Sequence, residues 1–389
     1  MGYISSFNNR WYCQRESSYG QVPGISGANR FSAVSMSVKQ QVDAPRRRDK
    51  TGSCTFAGGT AGQRKSTDFN LTTYMASWPN PAVAPGYGPL FQAALGATPL
   101  FFPGGLSTSA STSLTLRFGS SHGLAPGQAI TFNGEMRFVA SVIDQTTALL
   151  NAPLSSAPVA GSVLGATVTY LPSSELPSVS IFDYWTPAAA VQRILCGCGI
   201  DRLSIDVNGD YHQFGFSGKA QDVIDTGSFQ TAMGQLSAYP QEPVLDPTPI
   251  TVIAGNLGQI WLGPIASRFY TLTGAKVTLD NNLAMRTDEF GSVLPRGISP
   301  GQREVRADFD LYSQDDNATV GLYQAARQRS PIVVAIQLGQ VTGQLFGMYM
   351  KSVVPEVPEF NDKESRLQWS FRGAQAQGQG DDELAVAFG

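Results

Sequence analysis

The side chains that most often carry catalysis are scarce in this chain. Only two histidines occur, His122 and His212, so a histidine-dependent nucleophilic triad has few ways to form. His122 lies in the turn-like stretch SSHGLAPG. His212 follows VNGDY, in which Asn208 and Gly209 favour a tight hairpin turn. We therefore expect both histidines to be structural.

The four cysteines do not form a metal-binding pattern. Cys196 and Cys198 make a single C-x-C pair, whereas Cys13 and Cys54 stand far from it. Structural zinc sites generally need two spaced pairs or nearby histidines. The sequence therefore predicts that Cys196 and Cys198 are small residues buried in a packed turn or helix, and it predicts no metal and no cofactor.

Motifs for phosphate, zinc and calcium binding are missing too. The chain has no G-x-x-x-x-G-K-[ST] loop, no H-E-x-x-H and no D-x-D-x-D-G stretch. The carboxylates of Asp308 and Asp310 would share one strand face, but the sequence names no catalytic partner for them. We therefore expect a protein that is not an enzyme.

Composition favours a β-rich protein without a basic surface for nucleic acid. Only 15% of the 389 residues are charged, the formal net charge is -3, and there are 41 glycines. No apolar run approaches the roughly 18 residues of a membrane span. The start MGYISSFNNRWYCQRE lacks a basic-then-apolar secretion signal. We expect a protein that is made and kept in a cytoplasm, with no membrane span.

Blocks of similar sequence occur twice, in the same order. GQRKSTDFNLTTY, which begins at Gly62, resembles GQREVRADFDLYS, which begins at Gly301. Three further pairs are ANRFSAV with ASRFYTL, GPLFQAALG with VGLYQAARQ, and FGFSGKAQ with WSFRGAQAQ. The offset between partners stays at 232–240 and then falls to 155. We therefore predict two similar units, with extra residues in the first.

The extra residues span 111–172 and have no counterpart in the second half. Short β-like runs alternate there with turn signals such as APGQ and FNGE. The pattern predicts a small all-β module inserted into the first unit.

Each unit is predicted to be a β-rich domain with one helix. Residues 305–312 alternate between apolar and polar side chains, which predicts a strand with one buried face. We expect Asn317 to cap a helix that follows this strand. Leu322, Ala325 and Ala326 recur at helical spacing and predict its buried face.

A long polar connection joins the first two strands of each unit. The first is DAPRRRDKTGS and the second is DNNLAMRTDEFGSVLPRGISP. Arg46, Arg47 and Arg48 could suggest phosphate binding, but Asp43 and Asp49 flank them and the chain is acidic. We interpret both connections as hairpins that face solvent or a partner.

The second unit resembles the C-terminal half of the tail tube proteins of long-tailed phages. The resemblance covers residues 259–389 and is carried by REVRADFDLYSQDD, LYQAARQ, QLGQVTGQLFGMYMKSVVPEVPEF and RLQWSFRGAQAQGQGDDELAVAFG. It extends to residues 3–80 and 177–226 only through the internal repeat. The order of the pieces carries the resemblance, since no single motif is diagnostic.

The resemblance implies a fold and a role. It implies a mainly β chain with two tandem tail-tube β-sandwich domains, each with one flanking helix, plus the small inserted all-β module. The first domain would span 1–110 and 173–240, the module 111–172 and the second domain 241–389. In double-domain members of the family, three chains make a ring of six domains. Stacked rings form the tail tube, which conducts genomic DNA into the host.

The resemblance also implies partners and a location. The chain would bind further copies of itself, a tape measure protein in the lumen, and terminator and distal tail proteins at the tube ends. Double-stranded DNA would pass through transiently. The protein would reside in the virion after assembly in the host cytoplasm, with the inserted module on the outside of the tube.

The long hairpins would reach the adjacent ring. There, Arg46, Arg47, Arg48 and Arg286 would meet carboxylates, such as those of the acidic ending at 381–383.

Polar residues of the inner strands would face the lumen. They are Asp68, Asn70, Asp308 and Asp310. These side chains would give the bore a neutral or negative field that repels the duplex from the wall. Arg306 on the same face conflicts with this expectation unless it pairs with Asp308 or Asp310 across strands. Alternatively, the carboxylates pair with Arg64 or Arg303 at a seam between domains.

Two alternatives stay open at the level of sequence. One is the tube of a related injection machine, a tailocin or a gene transfer agent. The other is a multidomain β-sandwich adhesin or carbohydrate-binding protein, which would normally carry a secretion signal, calcium ligands or exposed aromatic platforms. Trp369 instead alternates with Leu367 and Phe371 in a core-like pattern, which favours the tube.

Overall fold

The chain is mainly β, as the sequence predicts. The computed structural model describes residues 3–43, 49–56, 58, 63–245, 250–363 and 365–389. Strands hold 44% of the residues and helices only 7%. The period-two patterns of the sequence therefore dominate its local structure.

The bounds of the strands and helices are as follows. The strands are β1 (Asn9–Arg15), β2 (Arg30–Phe31), β3 (Ala33–Val42), β4 (Lys65–Tyr74), β5 (Leu100–Phe102), β6 (Thr115–Arg117), β7 (Ala129–Phe132), β8 (Glu135–Asp144), β9 (Thr147–Leu150), β10 (Thr167–Tyr170), β11 (Val179–Trp185), β12 (Arg193–Val207), β13 (Gln213–Ala220), β14 (Asp222–Asp225), β15 (Gly258–Gly263), β16 (Ser267–Phe269), β17 (Leu272–Asp280), β18 (Ala284–Met285), β19 (Ile298–Ser299), β20 (Glu304–Tyr312), β21 (Ile332–Leu338), β22 (Phe346–Val354), β23 (Glu359–Asn361), β24 (Gln368–Ala376) and β25 (Ala385–Phe388). The α-helices are α1 (Gly88–Leu95) and α2 (Asn317–Gln328).

The same order of antiparallel pairing occurs twice along the chain. In the first half, the order is β1-β11-β12-β13-β4-β3. In the second half, it is β15-β21-β22-β24-β20-β17. The short strands repeat in the same way. Strand β2 pairs with β1 as β16 pairs with β15, and β14 pairs with β12 as β25 pairs with β22. We call these two sets of strands the first and second repeats.

The two repeats join edge to edge. The second part of β12 pairs with β17, from Arg202 opposite Asp280 to Val207 opposite Ala275. We call this pairing the internal seam. Through this pairing, strands of both repeats lie side by side in one sheet, in the order β3-β4-β13-β12-β17-β20-β24. The end of β22 and the short strand β23 both pair with β24 and together fill an eighth position. We call this sheet the eight-strand run.

The strands of this run are buried on one face and polar on the other. In β20, the alternate residues Val305, Ala307, Phe309 and Leu311 are buried, as predicted from the sequence. The corresponding face of β4 is also buried, and both faces belong to one hydrophobic core that includes strands β11 and β21. The opposite, polar face of the run remains accessible to solvent.

Helix α2 follows β20, and its buried face is the predicted one. Leu322, Ala325 and Ala326 are buried against the core. The predicted cap is wrong by one residue, because Asp316 is the N-cap and Asn317 is the first helical residue. Asp316 has an extended backbone, and its carboxylate accepts a hydrogen bond from the Thr319 amide at 2.7 Å. A carboxylate there also favours the positive end of the helix dipole.

Within residues 111–172, four strands form a separate small sheet in the order β6-β9-β8-β7. Leu116, Ile130, Val139 and Leu150 contribute to a hydrophobic cluster of its own. Strand β10 lies in the same sequence range, but it pairs with β5 and β25 of the large sheet.

The small sheet docks on the second repeat. The Met136 amide donates to Oε1 of Gln337 at 2.8 Å, and the Arg137 guanidinium lies 3.8 Å from the centre of the Trp261 ring. Along β21, Ala335 and Gln337 face this contact, whereas the alternate residue Ile336 enters the main core. The small sheet and the polar face therefore lie on opposite sides of the second repeat.

Candidate functional site

The four residues predicted to line a lumen lie on the polar face of the eight-strand run. Asp68 and Asn70 project from β4, and Asp308 and Asp310 project from β20. The pairing register puts all four on the same face, because residues directly opposite in a sheet project to the same side. The described part of the chain does not cover this face.

Most charges on the polar face have a counter-charge beside them. The cations are Lys39, Lys219, Arg202, Lys276, Arg306 and Arg372. The anions are Asp68, Asp206, Asp280, Glu304, Asp308, Asp310 and Glu359. With six cations and seven anions among the described strands, the face is close to neutral.

The partner of Arg306 differs from the expected one. Arg306 forms an ion pair with Glu304, two residues earlier on the same strand face, and not with Asp308 or Asp310. The spacing explains this choice, because alternate residues of a strand stand side by side. Asp310 instead accepts a hydrogen bond from Arg372 at 2.7 Å.

Neither arginine proposed for a carboxylate seam contacts these aspartates. Arg64 pairs with Asp288 at 2.7 Å. Arg303 pairs with Asp381 at 3.1 Å and with Glu383 at 2.8 Å. Asp308 accepts from the backbone amide of Gly373 at 2.6 Å, where β24 carries a bulge.

Two ion pairs cross the internal seam. Arg202 lies 2.5 Å from Asp280, and Lys276 lies 3.0 Å from Asp206. Side chains this exposed to solvent contribute only about 0–1 kcal/mol per pair. The backbone ladder and the buried residues beneath it therefore provide most of the stability of the seam.

The eight-strand run ends in two unpaired edges. Among the described residues, β3 pairs only with β4, and β23 pairs only with β24. These outer strands occupy the positions that β17 and β12 hold in the internal seam. Unpaired edges expose a row of N–H and C=O groups that can pair with another chain.

Exposed apolar side chains accompany both edges. Val34 and Val42 of β3 are 47% and 48% exposed, and Val357 and Phe360 at the other edge are 45% and 56% exposed. Ile205, the seam residue that occupies the position of Phe360, is fully buried. The edges therefore carry side chains of the kind that the internal seam buries.

The internal seam also defines a register for the two edges. Lys39 lies opposite Asp68 just as Lys276 lies opposite Asp308, so Lys39 corresponds to Lys276. Asp206 lies opposite Gln213 of β13, and Asn361 lies opposite Gln368 of β24, the strand equivalent to β13. Asn361 therefore corresponds to Asp206. Since Asp206 and Lys276 are paired in the seam, Asn361 of one chain is the expected partner of Lys39 in another.

The second long connection, residues 281–303, packs its central part on the first repeat. The Lys65 amide donates to the Val293 carbonyl at 2.9 Å, and Gln221 donates to the Pro295 carbonyl at 2.9 Å. Arg286 donates to Glu289 of the same connection at 2.6 Å. Arg46, Arg47 and Arg48 of the first connection lie outside the described residues.

The acidic ending proposed to receive these arginines has partners within the chain. Asp381 and Glu383 bind Arg303, and Asp382 binds Lys351. Arg303 also donates to the Ser173 carbonyl, so it links the ending to the segment that precedes β11.

The two histidines contact backbone groups, and Cys13, Cys196 and Cys198 are buried, whereas Cys54 is exposed. His122 Nδ1 accepts from the Leu124 amide at 2.9 Å, and His212 Nε2 lies 2.9 Å from the Leu257 carbonyl. Burial lowers the pKa of His212 and raises the pKa of the Cys196 thiol to about 12. Among the described residues, no cluster of three or more His, Cys, Asp or Glu side chains could hold a metal ion.

A scan against models of protein families finds no matching family, and a search of curated proteins finds no similar chain. Within the described ranges, no helix has the length and apolar character needed to cross a membrane.

The edges, their register and the docked small sheet were not predicted from the sequence. The internal repeat was the signal that could have located the edges, because a duplicated sheet that joins to itself leaves the same two edges free.

Proposed function

We propose that this chain is a structural subunit of a phage tail tube. Three copies form a closed ring of six similar β-sandwich units, and rings stack into a hollow tube that conducts genomic DNA. Each repeat with its helix is then one tube domain, and the small sheet is the module inserted between strands of the first.

The observation that supports the proposal best is the internal seam between two repeats of identical strand order. The chain joins one repeat to the next through β12 and β17, and leaves the equivalent edges unpaired. Joining β3 of the next chain to β23 of this one repeats the same contact. Such a head-to-tail contact closes into a ring when the rotation that relates one chain to the next is a whole fraction of 360°.

The size of the proposed ring suits passage of a duplex. Three chains of eight strand positions give about 24 strands, which at about 4.8 Å spacing and about 45° tilt make a barrel roughly 50 Å across. Inward side chains reduce the bore to about 40 Å, wider than the roughly 20 Å of duplex DNA.

The polar face supports this orientation of the sheet. A wall of unpaired Lys and Arg would bind phosphates and add friction that depends on salt. The near-neutral, ion-paired face avoids that, and we assign it to the bore, with Asp68, Asn70, Asp308 and Asp310 on its surface. The small sheet, on the other side of the second repeat, then decorates the outside of the tube.

The remaining partners follow from the proposed role. A tape measure protein would fill the bore during assembly, and terminator and distal tail proteins would close the two tube ends. The protein would be found in the virion.

A disulfide trap across the proposed seam tests the ring. In a Cys54→Ser background, which removes the exposed cysteine, Lys39→Cys and Asn361→Cys are combined. Opposite positions in antiparallel strands bring Cα atoms to about 4.5–5.5 Å, which suits a disulfide. We expect oxidation to give covalent dimers and then trimers on a non-reducing gel.

The internal seam provides a matched control. Asp206→Cys with Lys276→Cys, in the same background, occupies the corresponding positions and should form a disulfide within one chain. Free-thiol titration measures this reaction. If the control oxidises while the edge pair stays monomeric, the proposed ring is wrong.

A further inference from the structure

The two long connections lie at one end of the eight-strand run. Strand β3 runs from Ala33 to Val42 and β4 returns from Lys65 to Tyr74, so residues 43–64 connect them at one end. Strands β17 and β20 place residues 281–303 in the same way, and the internal seam aligns the two repeats. The segments that follow β4 and precede β3 therefore lie at the opposite end.

Phe290 projects from the second connection, with 99% of its surface exposed. The residues around it are held in place by contacts of their own. Arg286 binds Glu289, and Asp288 binds Arg64 of the first repeat. Arg296 contacts the carbonyl of Phe290 at 3.5 Å. Because these contacts restrain the tip, little conformational entropy would be lost when Phe290 binds a partner.

An apolar pocket of about 210 Å³ lies at the opposite end of the first repeat. Its wall includes Phe31, Trp78, Pro79, Val83 and Tyr87, all within the described residues. Trp78 is fixed because its indole N–H donates to the Val83 carbonyl at 2.8 Å. Val83 itself is 42% exposed, so the pocket is open to a partner.

The rim of this pocket carries a cation, and an exposed anion lies beside Phe290 among the cations Arg64, Arg286 and Arg296. Arg30 lines the pocket. Asp288, two residues before Phe290, keeps 89% of its side chain exposed despite its contact with Arg64. A second pocket beside Arg268 at the same end combines the polar groups of His212 and Gln337 with apolar side chains such as Phe269 and Leu272, so its lining is more mixed.

We infer that Phe290 of one chain inserts into the Trp78–Val83 pocket of a second copy of this chain in the next ring. The inference rests on the proposed function and names the anchor of ring stacking within it. Because anchor and pocket lie at opposite ends of one rigid sheet, each ring presents pockets to one neighbour and anchors to the other. A heterologous contact of this kind, repeated along an axis, builds an open filament.

The first test separates stacking from ring formation. Phe290→Ser removes the anchor, and Ile265→Ser is a control, since Ile265 is 83% exposed on the turn between β15 and β16. A buried aromatic anchor is the type of residue that dominates interfaces. We expect Phe290→Ser to raise the concentration needed for tube growth by about 10-fold or more. Electron microscopy should show rings without long tubes, whereas Ile265→Ser should match the parent protein.

Three outcomes would overturn the inference. Normal tubes from Phe290→Ser would show that Phe290 does not anchor ring stacking, and they would leave the proposed ring unaffected. Loss of rings together with tubes would place Phe290 in the ring contact. Absence of any ring or tube from the parent protein would reject the proposed function itself, and this inference with it.

A disulfide trap tests the contact from the pocket side. In the Cys54→Ser background, Phe290→Cys is combined with Val83→Cys, which keeps the backbone carbonyl that Trp78 requires. We expect oxidised tubes to yield covalent multimers larger than a trimer, and mass spectrometry should find the two introduced cysteines linked between chains. Free thiols at both positions in oxidised tubes would overturn the inference.

Discussion

Replacing Arg137 with alanine should lower the free energy of unfolding by about 3–5 kcal/mol, the usual cost of removing one partner from a buried ion pair. Arg137 is 1% exposed and donates to the carboxylate of Glu135 at 2.7 Å. It donates to the Pro153 carbonyl at 2.8 Å and covers Trp261. Alanine would leave that carboxylate unpaired, open a cavity and expose part of the contact between the small sheet and the second repeat.

The charge of Arg137 persists at neutral pH despite its burial. Burial lowers the pKa of Arg137 to about 10, while the nearby Glu135 acts in the opposite direction. Since this value lies above neutral pH, the guanidinium stays protonated there. A substitution at Arg137 therefore removes a charge together with its packing and hydrogen bonds.

Urea denaturation of three variants checks the prediction. Arg137→Met keeps most of the side-chain volume over Trp261 and should cost less than Arg137→Ala, because it leaves no large cavity. Arg117→Ala changes an exposed arginine of the same small sheet and should have little effect. If Arg137→Ala unfolds at the same urea concentration as Arg117→Ala, the docking contact does not stabilise the protein.

Adding cations to the polar face should convert the bore of the proposed tube into a DNA-binding surface. Asn70→Lys, Ser217→Lys and Thr278→Lys change neutral residues on this face and leave its ion pairs intact. Each ring would gain nine cations from its three chains. We expect duplex binding that falls by about 10³-fold or more between about 50 and 200 mM salt, as released counterions require.

Charge, and not shape, should cause this effect. The control variant carries Asn70→Gln, Ser217→Asn and Thr278→Gln, which add volume without charge. Fluorescence anisotropy of a labelled duplex, measured against salt concentration, compares the assembled proteins. Equal binding by the parent protein and the lysine variant would contradict a bore that avoids phosphate contacts.

The sequence predicted local structure correctly where the burial of apolar side chains alone sets the pattern. Alternation of apolar residues in β20 and the helical spacing in α2 correctly predicted the buried faces, because burial controls both patterns. The helix cap was wrong by one residue, since Asp316 and Asn317 are both good caps and backbone geometry decides between them. The repeated blocks predicted a repeated unit, and the order of strand pairing is indeed repeated.

Long-range pairings could not be predicted in the same way. The sequence of β12 does not show that its second part pairs with β17, because register depends on the neighbouring sheet. Arg303 pairs with the acidic ending, which is distant in sequence, and this choice depends on how the chain folds back. Arg306 pairs with Glu304 of its own strand, although Asp308 lies at the same spacing on the other side. The position of Arg137 between the small sheet and Trp261 likewise depends on how two packed units meet.

Cryo-electron microscopy of the purified, assembled protein tests the central proposal most directly. We predict rings of three chains with pseudo-sixfold symmetry, in which β3 of each chain pairs with β23 of its neighbour and the polar face lines the bore. A ring of six chains, an assembly with the polar face outward, or a protein that stays monomeric at high concentration would contradict it.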